Sequence, residues 1–230
     1  FSKGYFLDKF KRERISGSDY LNFDLDRIDL IEDVFRNNLL SGLNVTIPYK
    51  EKIIPYLDEL SPIAKEIGSV NTICFENSKK IGYNTDFHGF DKTLSEINIE
   101  NIKHALVLGT GGASKAIRHV LSKRNIKYNL VSRSKKNNNI LYKDLDSNMF
   151  NQSLLIINST PLGTYPNIEE FPDIPYNLIN NNHILYDLVY NPVETIFMKK
   201  GDEKGATVIN GLKMLKYQAE KSWELWSKSN

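Results

Sequence analysis

The sequence predicts an α/β fold with largely parallel sheets. Short apolar strands alternate with amphipathic helices along most of the 230 residues, as in sheets that are covered by helices. One of these strands, His104–Leu108, runs directly into a glycine-rich turn and a helix. We expect two units, residues 1–86 completed by 211–230 and residues 87–210, so that the C-terminal helix returns to the first unit.

Composition and charge are those of an ordinary globular protein. The chain is 40% hydrophobic and 25% charged, which is enough apolar material for a core. The formal net charge is only +2, so nothing suggests a basic surface that binds nucleic acid or a membrane. No apolar run approaches the roughly 20 residues of a membrane span. The single cysteine, Cys74, cannot form an internal disulfide, which favours a reducing, cytoplasmic location. We expect a small-molecule partner, with no nucleic acid and no membrane.

The first unit should contain short helices and strands in alternation. Apolar residues at helical spacing predict helices at Gly4–Glu13, Leu30–Asn37, Lys50–Leu57 and Pro62–Ile67. Strands are predicted at Tyr20–Leu25, Leu43–Ile47, Ser69–Phe75 and Lys80–Asn84. Ser61 should cap the last of the four helices, because a proline follows it in the first turn. The last two strands should meet at Asn77-Ser78.

The second unit begins with a dense apolar strand and continues the alternation of strands and helices. Strands are predicted at His104–Leu108, Lys127–Val131, Leu154–Ile157 and Ile184–Leu188. Helices are predicted at Phe87–Ile97, Ala113–Leu121 and Gly211–Trp226, the last of which belongs with the first unit.

The turn Gly109-Thr110-Gly111-Gly112 is the clearest sign of a nucleotide. Gly109 and Gly111 would allow a tight turn and a close approach to a pyrophosphate, while the following helix offers free N–H groups and the positive end of its dipole. The third position of the fingerprint is Ser114, which is still small. The place of the glycine turn between a strand and a helix predicts a Rossmann-type dinucleotide site. A turn without a ligand is the alternative.

The end of the next strand favours NADP over NAD. An NAD site usually has an acidic residue about 20 positions after the glycines, but here the segment 132–136 reads SRSKK. The guanidinium of Arg133 can donate two parallel hydrogen bonds to a 2′-phosphate, and its plane can stack on the adenine. A basic surface turn is the other interpretation of this run.

Three apolar strands of the first unit end in small polar residues. The segments are LNVTIPYK, SVNTI and YNTDFHGF, and they offer Asn44, Thr46, Lys50, Asn71, Thr72, Asn84, Thr85 and Asp86. Sites collect at strand ends in α/β sheets, and amides and hydroxyls suit a small polyhydroxylated substrate. The four histidines are scattered along the chain, so we expect no metal site.

Lys50 and Asp86 form a usable acid–base pair. Reduction of a carbonyl by a nicotinamide needs a proton at the oxygen as hydride reaches the carbon. Lys50 could give and take that proton, while Asp86 would hold the ammonium and bind a substrate hydroxyl. For either residue alone, a structural pair at the surface is the simpler interpretation.

Taken together, the motifs resemble the shikimate dehydrogenase family over nearly the whole chain. They are NVTIPYK, SVNT, NTDFHGF, GTGGASKA, the SRS turn, NSTPLG, YDLVYNP and NGLKMLKYQAE. The resemblance implies a substrate domain completed by the C-terminal helix and a Rossmann NADP domain. It implies reversible NADPH-dependent reduction of 3-dehydroshikimate to shikimate, in chorismate and aromatic amino-acid biosynthesis, by a monomer or homodimer.

The resemblance also implies roles for individual residues. Lys50 matches the catalytic lysine and Asp86 its partner. The matches to substrate-binding positions are Ser2, Thr46, Asn71, Tyr190 and Gln218. The matches to cofactor-binding positions are Gly109, Thr110, Gly111, Gly112, Ala113, Ser132, Arg133, Ser134, Leu188 and Gly211. The segment 158–163, NSTPLG, matches a loop beneath the cofactor.

The N-terminal end departs from the family pattern. The family opens with a strand and a turn carrying two serines. Ser2 matches the second serine, and the first serine has no counterpart here. Lys3 and Tyr5 stand where a proline and a histidine are usual. We expect that a first strand and its turn are missing from this chain.

Two other functions stay open at this point. One is an NAD-dependent quinate/shikimate dehydrogenase, which Arg133 and the missing acidic residue disfavour. The other is a catalytically silent nucleotide-binding module of the same fold, which the presence of both Lys50 and Asp86 disfavours.

Overall fold

The strands of the protein form two sheets, with helices packed against both. A computed structural model describes residues 1–37, 39–135 and 138–228. The helices are α1 (Ser2–Arg12), α2 (Ile31–Phe35), α3 (Pro62–Ile67), α4 (Asp86–Leu94), α5 (Gly112–Lys123), α6 (Ser147–Gln152), α7 (Ile196–Asp202) and α8 (Leu212–Lys228). The strands are β1 (Gly42–Asn44), β2 (Glu59–Leu60), β3 (Thr72–Glu76), β4 (Lys79–Tyr83), β5 (His104–Leu108), β6 (Lys127–Ser132), β7 (Ile140–Leu141), β8 (Leu155–Asn158), β9 (Ile184–Asp187) and β10 (Thr207–Ile209).

The first sheet has four strands in the order β1-β3-β4-β2. Strands β3 and β4 form an antiparallel hairpin whose two turn residues, Asn77 and Ser78, have φ of 50° and 63°. Positive φ at both positions matches the right-handed twist of the strands. The predicted hairpin is confirmed. Strand β1 extends the sheet antiparallel to β3, and β2 pairs in parallel with β4.

The second sheet has six strands in the order β10-β9-β8-β5-β6-β7, and all its pairs are parallel. This is the strand order of a doubly wound dinucleotide-binding sheet. The chain adds strands on one side of β5 as far as β7, and then on the other side from β8 onward, so the strand order reverses between β5 and β8. Ligands bind such sheets in the crevice at the point of reversal, beyond the carboxyl ends of the strands. The Rossmann-type prediction is confirmed, and the glycine turn lies at this position because it follows β5.

Both faces of the second sheet are covered, which explains its apolar strands. Phe90 and Leu94 of α4 and Ile117 of α5 lie in the core on one face, and Phe150 and Phe197 lie in the core on the other. No helix in the described part of the chain has both the length and the apolar character needed to cross a bilayer.

Helix α8 packs against α4 and reaches the first sheet. The Trp226 indole Nε1 donates a hydrogen bond to the Ile73 carbonyl at 3.0 Å. A Cβ atom at Gly42 would lie 2.1 Å from Trp226 Cδ1, so the indole lies directly on β1. A Cβ atom at Gly89 would lie 2.5 Å from the Met214 carbonyl oxygen, so α4 and α8 approach closely only because residue 89 is glycine.

The strand predicted at Tyr20–Leu25 is wrong, because this segment is irregular. The Tyr20 ring stacks on Phe6 with centroids 4.9 Å apart, and its hydroxyl donates to Asn44 Oδ1 at 2.9 Å. Leu21 and Phe23 are exposed. The aromatic pattern therefore serves side-chain packing and does not mark a strand.

The helix predicted at Lys50–Leu57 is also wrong. Turns lead into a single 3₁₀ turn, Ile54–Tyr56. Pro55 has no N–H to donate and its ring conflicts with an α-helical interior, so only a short turn forms. The preceding strand is shorter than predicted, since β1 ends at Asn44, although the Val45 N–H still donates to the Asn71 carbonyl at 2.8 Å.

Candidate active site

Lys50 and Asp86 meet between the two sheets. Lys50 follows a turn closed by the Tyr49 N–H and the Thr46 carbonyl at 2.8 Å, and Asp86 is the first residue of α4. The Lys50 Nζ lies 2.6 Å from Asp86 Oδ2, with side chains only 15% and 8% exposed. The pair is therefore largely removed from water, unlike an ion pair at the surface.

Asn71 fixes the other oxygen of the same carboxylate. Its Nδ2 donates to Asp86 Oδ1 at 2.9 Å, and its Oδ1 accepts from the Thr85 N–H at 2.6 Å. Asn71 comes just before β3, and Thr85 lies between β4 and α4. The amide thus orients Asp86 from the opposite side to Lys50, which holds the carboxylate in one rotamer.

Helix α8 completes this polar network. Gln218 Oε1 accepts from Asn71 Nδ2 at 3.2 Å, as expected for a residue near the site. Ser222 Oγ lies 2.7 Å from Thr72 Oγ1, and Asn44 Nδ2 donates to it at 3.3 Å. Ser222 was missed in the sequence. It follows Gln218 by four residues on the same helix face, and that spacing could have identified it.

The other predicted substrate-binding residues surround this network. Thr46 is exposed in the turn before Lys50. Tyr190 meets the ring of Phe1 edge-on at 5.5 Å. Ser2 lies beside Tyr20. Burial raises the pKa of Tyr20, and the interaction with Ser2 opposes part of this rise. Among the described residues, no hydrogen bond joins Thr46, Tyr190 or Ser2 to the Lys50–Asp86 pair.

The geometry of the glycine turn fits a pyrophosphate. Gly109 has φ of +104°, and a Cβ atom there would lie 2.9 Å from Ser159 Oγ, so glycine is required. A Cβ atom at Gly111 would have no atom within 4 Å, which leaves room for a ligand. Helix α5 starts at Gly112, and the buried Ser114 donates its hydroxyl to the Gly111 carbonyl at 2.7 Å. The free N–H groups of this first turn suit an anion.

One cleft of about 1540 Å³ connects the glycine turn to Lys50. Its walls include the segments 109–113, 132–134 and 159–162, together with Ile47, Pro48 and Lys50. A Cβ atom at Gly112 would lie 3.5 Å from Lys50 Cβ, so the turn and the lysine are in direct proximity. The predicted loop beneath the cofactor, 158–163, thus contributes to the same cleft.

The end of β6 presents Arg133 to this cleft. Ser132 is buried and its hydroxyl donates to the Ser134 carbonyl, while Arg133 and Ser134 are exposed. Burial raises the pKa of Tyr142 to about 12, and the nearby charge of Arg133 opposes this rise. Within the described residues no carboxylate pairs with Arg133, so its guanidinium can bind a phosphate. Lys136, the last residue of the basic run, lies outside the described residues.

A buried carboxylate at the end of β9, Asp187, was missed in the sequence. Its Oδ1 accepts from Asn158 Nδ2 at 2.9 Å and from the Val189 N–H at 3.0 Å, and its Oδ2 accepts from the Thr195 hydroxyl at 2.6 Å. Burial raises its pKa to about 6. The carboxylate thereby ties together the loops that follow β8 and β9. Only its charge at the end of an apolar strand could have drawn attention to it.

Leu188 and Gly211 lie together beside Asp187. The Leu188 N–H donates to the Asn158 carbonyl at 2.9 Å, and the Gly211 N–H donates to the Val189 carbonyl at 3.0 Å. A Cβ atom at Gly211 would lie 2.1 Å from the Leu188 oxygen. Glycine is thus required where α8 begins against the loop after β9.

No metal site is evident in the described ranges, where no three His, Cys, Asp or Glu side chains are grouped closely enough to hold an ion. The absence of a metal from the reaction stays a prediction.

Comparison with known proteins places the chain in a family. Residues 2–73 match the family model for the shikimate dehydrogenase substrate binding domain. The shikimate dehydrogenase (NADP(+)) of Methanococcus maripaludis strain S2 is 40% identical over 225 residues, which cover 90% of this chain and 81% of the relative. That of Clostridium beijerinckii is 40% identical over 229 residues, which cover 94% of this chain and 83% of the relative.

Structural comparison gives the same result. The crystal structure of shikimate 5-dehydrogenase from Thermus thermophilus, in complex with NADP(H) and shikimate, matches with a TM-score of 0.84 at 28% identity. The match covers 99% of this chain and 88% of that one. The sequence identity, the strand order and the motifs agree, and the chain therefore belongs to the shikimate dehydrogenase family.

Proposed function

We propose that this protein catalyses the reversible NADPH-dependent reduction of 3-dehydroshikimate to shikimate, a step of chorismate and aromatic amino-acid biosynthesis. The observation that carries this proposal is the desolvated Lys50–Asp86 pair, which lies beside the nucleotide turn. An acid–base pair within reach of a dinucleotide site suits carbonyl reduction. The choice of substrate and cofactor follows relatives at about 40% identity, which are named shikimate dehydrogenase (NADP(+)).

We assign residues 1–86 and 211–230 to a substrate domain and residues 87–210 to an NADP domain. The four-stranded sheet lies wholly within 1–86 and the six-stranded sheet within 87–210. The match of residues 2–73 to a substrate-binding domain model supports the first assignment. Hydrogen bonds that join Gln218, Ser222 and Trp226 of α8 to residues before position 86 support the inclusion of α8.

Lys50 is the proposed proton donor to the ketone oxygen. The cofactor, when bound, supplies hydride to the carbonyl carbon. Lys50 as an ammonium donates a proton to the oxygen, which becomes the hydroxyl of the product, and in the reverse direction neutral Lys50 takes that proton back. Asp86 orients the ammonium and accepts a hydrogen bond from a substrate hydroxyl. Asn71 keeps the carboxylate in place through its bond to Oδ1.

The remaining site residues are proposed to bind and orient. Amide and hydroxyl side chains match the hydroxyl groups of a polyhydroxylated ring; those residues are Ser2, Thr46, Asn71, Tyr190 and Gln218. The cofactor would be held along the cleft by Gly109, Thr110, Gly111, Gly112, Ala113, Ser132, Arg133, Ser134, Leu188 and Gly211. In this arrangement Arg133 meets the 2′-phosphate, and Leu188 and Gly211 flank the nicotinamide.

The test is the rate of NADP reduction with shikimate, followed by the absorbance of the reduced nicotinamide. NAD is tested in place of NADP, and quinate in place of shikimate. We expect turnover of shikimate with NADP, and little turnover when either reactant is replaced. Preference for quinate with NAD would assign the chain to the alternative dehydrogenase. No turnover by folded protein that binds NADP would identify a silent nucleotide-binding module.

We also propose a cytosolic location, because the sequence contains one cysteine, Cys74, which cannot form a disulfide within the chain. A monomeric or homodimeric state is proposed with it, and light scattering of the purified protein would decide between the two.

A further inference from the structure

Lys115, on the second turn of α5, reaches from the nucleotide-binding helix to the segment that carries Lys50. Its Nζ lies 2.7 Å from Glu51 Oε2 and donates to the Gly68 carbonyl at 3.2 Å. Glu51 is the residue after Lys50, and Gly68 lies three residues before Asn71. A single ammonium therefore contacts both segments that support the acid–base pair.

The two segments that Lys115 contacts are also bonded to each other. The Val70 N–H donates to the Lys50 carbonyl at 2.7 Å. One turn before Lys115 on α5, a Cβ atom at Gly112 would lie 3.4 Å from Ser69 Oγ. The first two turns of α5 thus pack on the substrate side of the cleft, and Lys115 supplies an ionic contact in this packing.

Glu51 also lines the cleft that holds the glycine turn. Its side chain is 49% exposed and that of Lys115 is 26% exposed. An unpaired carboxylate at this position would repel the phosphates of a dinucleotide, because like charges near a low-dielectric wall interact more strongly than in bulk water. The Lys115 ammonium removes this repulsion.

We propose that Lys115 is a positioning residue that neutralises Glu51, so that a dinucleotide phosphate can lie next to the Lys50 segment. The proposal rests on the proposed function, since it concerns the same cofactor. It assigns Lys115 an action through Glu51 and not a direct contact with the cofactor. The consequence is that loss of the lysine is harmful only while the glutamate is present.

The test compares Lys115→Met, Glu51→Gln and the double variant by isothermal titration calorimetry with NADP at low salt. Lys115→Met should weaken NADP roughly fivefold, as expected for a partly exposed charge. Glu51→Gln should not weaken it, and the double variant should return to within about twofold of the unsubstituted protein because the two sites are coupled. Higher salt should shrink the effect of Lys115→Met, and Lys115→Arg should retain affinity.

The matched control is Lys79→Met, which breaks the exposed Lys79–Glu59 pair on the first sheet and should leave NADP affinity unchanged. Melting temperatures show that each variant is folded. A double variant as weak as Lys115→Met, or an equal loss in Glu51→Gln, would overturn the proposal. NADP affinity is independent of shikimate turnover, so the expected pattern in a protein that does not oxidise shikimate would count against the proposed function alone.

Discussion

Lys50 and Asp86 occupy a position that stability alone does not explain. Removing an ammonium and a carboxylate from water costs free energy that their attraction only partly restores, so a buried ion pair is a weak source of stability. Here both side chains are mostly buried, and Asn71 constrains the carboxylate further. The position of this pair beside the nucleotide cleft therefore supports a proton-transfer role.

Replacement of Lys50 should separate catalysis from cofactor binding. We expect Lys50→Ala to lower turnover by roughly 10² or more, because the proton donor is lost. NADP affinity should change little, since the proposed contacts to the pyrophosphate come from backbone N–H groups of the glycine turn and not from Lys50. Steady-state kinetics and calorimetry measure the two effects, with Lys65→Ala, at an exposed lysine of α3, as the control. Loss of NADP binding with normal turnover at saturation would contradict the role.

Asp187 should make stability depend on pH. Its folded pKa of about 6 lies above the ordinary value of 3.8, so the folded protein keeps this proton more tightly than the unfolded chain. The contribution of Asp187 to the free energy of unfolding therefore decreases as pH rises through this interval.

The variant Asp187→Asn removes this dependence. The free energy of unfolding of the unsubstituted protein should fall, relative to that of the variant, by up to about 3 kcal/mol between pH values of about 4 and 7. Urea unfolding of both proteins at pH values between about 4 and 7 measures this difference in the free energy of unfolding. Asp202→Asn, which removes an exposed carboxylate, is the control. Parallel pH profiles for Asp187→Asn and the unsubstituted protein would show that burial does not perturb this carboxyl group.

At the scale of elements, local chemistry was predictable and distant pairing was not. Ser61 caps α3 by accepting from the Ala64 N–H at 3.2 Å, and the Asn77-Ser78 turn forms the expected hairpin. Both depend on residues close in sequence. Helix α7 and strand β10 were missed, because they are short and are stabilised by packing on β9 rather than by a pattern of their own.

The candidate site divides in the same way. Lys50, Asn71 and Asp86 could be found because each belongs to a short polar motif next to an apolar strand. Lys115 could not, since it acts through a partner far away in sequence, Glu51. The spacing of Ser222 from Gln218 could have placed Ser222 on the right helix face, but not its contact with Thr72. Such contacts depend on how α8 and α5 pack, which no local pattern specifies.

The close approach of α4 and α8 can be tested at Gly89. In Gly89→Ala the added methyl group would meet the backbone of Met214, which cannot move without shifting the helix. We expect a loss of about 1–3 kcal/mol in the free energy of unfolding, together with weaker shikimate binding because Gln218 moves with α8. Urea unfolding and substrate titration measure the two changes.

Gly4→Ala is the matched control for this change. Gly4 lies in α1 and a Cβ atom there would meet nothing within 4 Å, so the alanine should stabilise by about 0.5–1 kcal/mol. Equal effects at the two positions would mean that helix propensity, and not interhelical contact, determines the result at Gly89.

At the scale of the whole molecule, the cofactor should stabilise the fold that binds it. A ligand at about 100 times its Kd adds roughly 2.7 kcal/mol to the free energy of unfolding. NADP should therefore raise the melting temperature more than NAD at equal concentration, because Arg133 can pair with the 2′-phosphate. Arg133→Ala should remove most of this difference. An equal decrease for both cofactors would remove the reason for preferring NADP.

The last helix has a consequence for the order in which the protein matures. Gln218 is separated from Asn71 by 147 positions, and Ser222 from Thr72 by 150. Synthesis proceeds from the N-terminus, and domains fold as units while the rest of the chain is still being made. The residues of the six-stranded sheet and its glycine turn are synthesised before those of α8, which begins at Leu212. The polar network around Asn71 and Asp86 is therefore the last part of the site that can be completed, because it needs a helix from the C-terminal end of the chain.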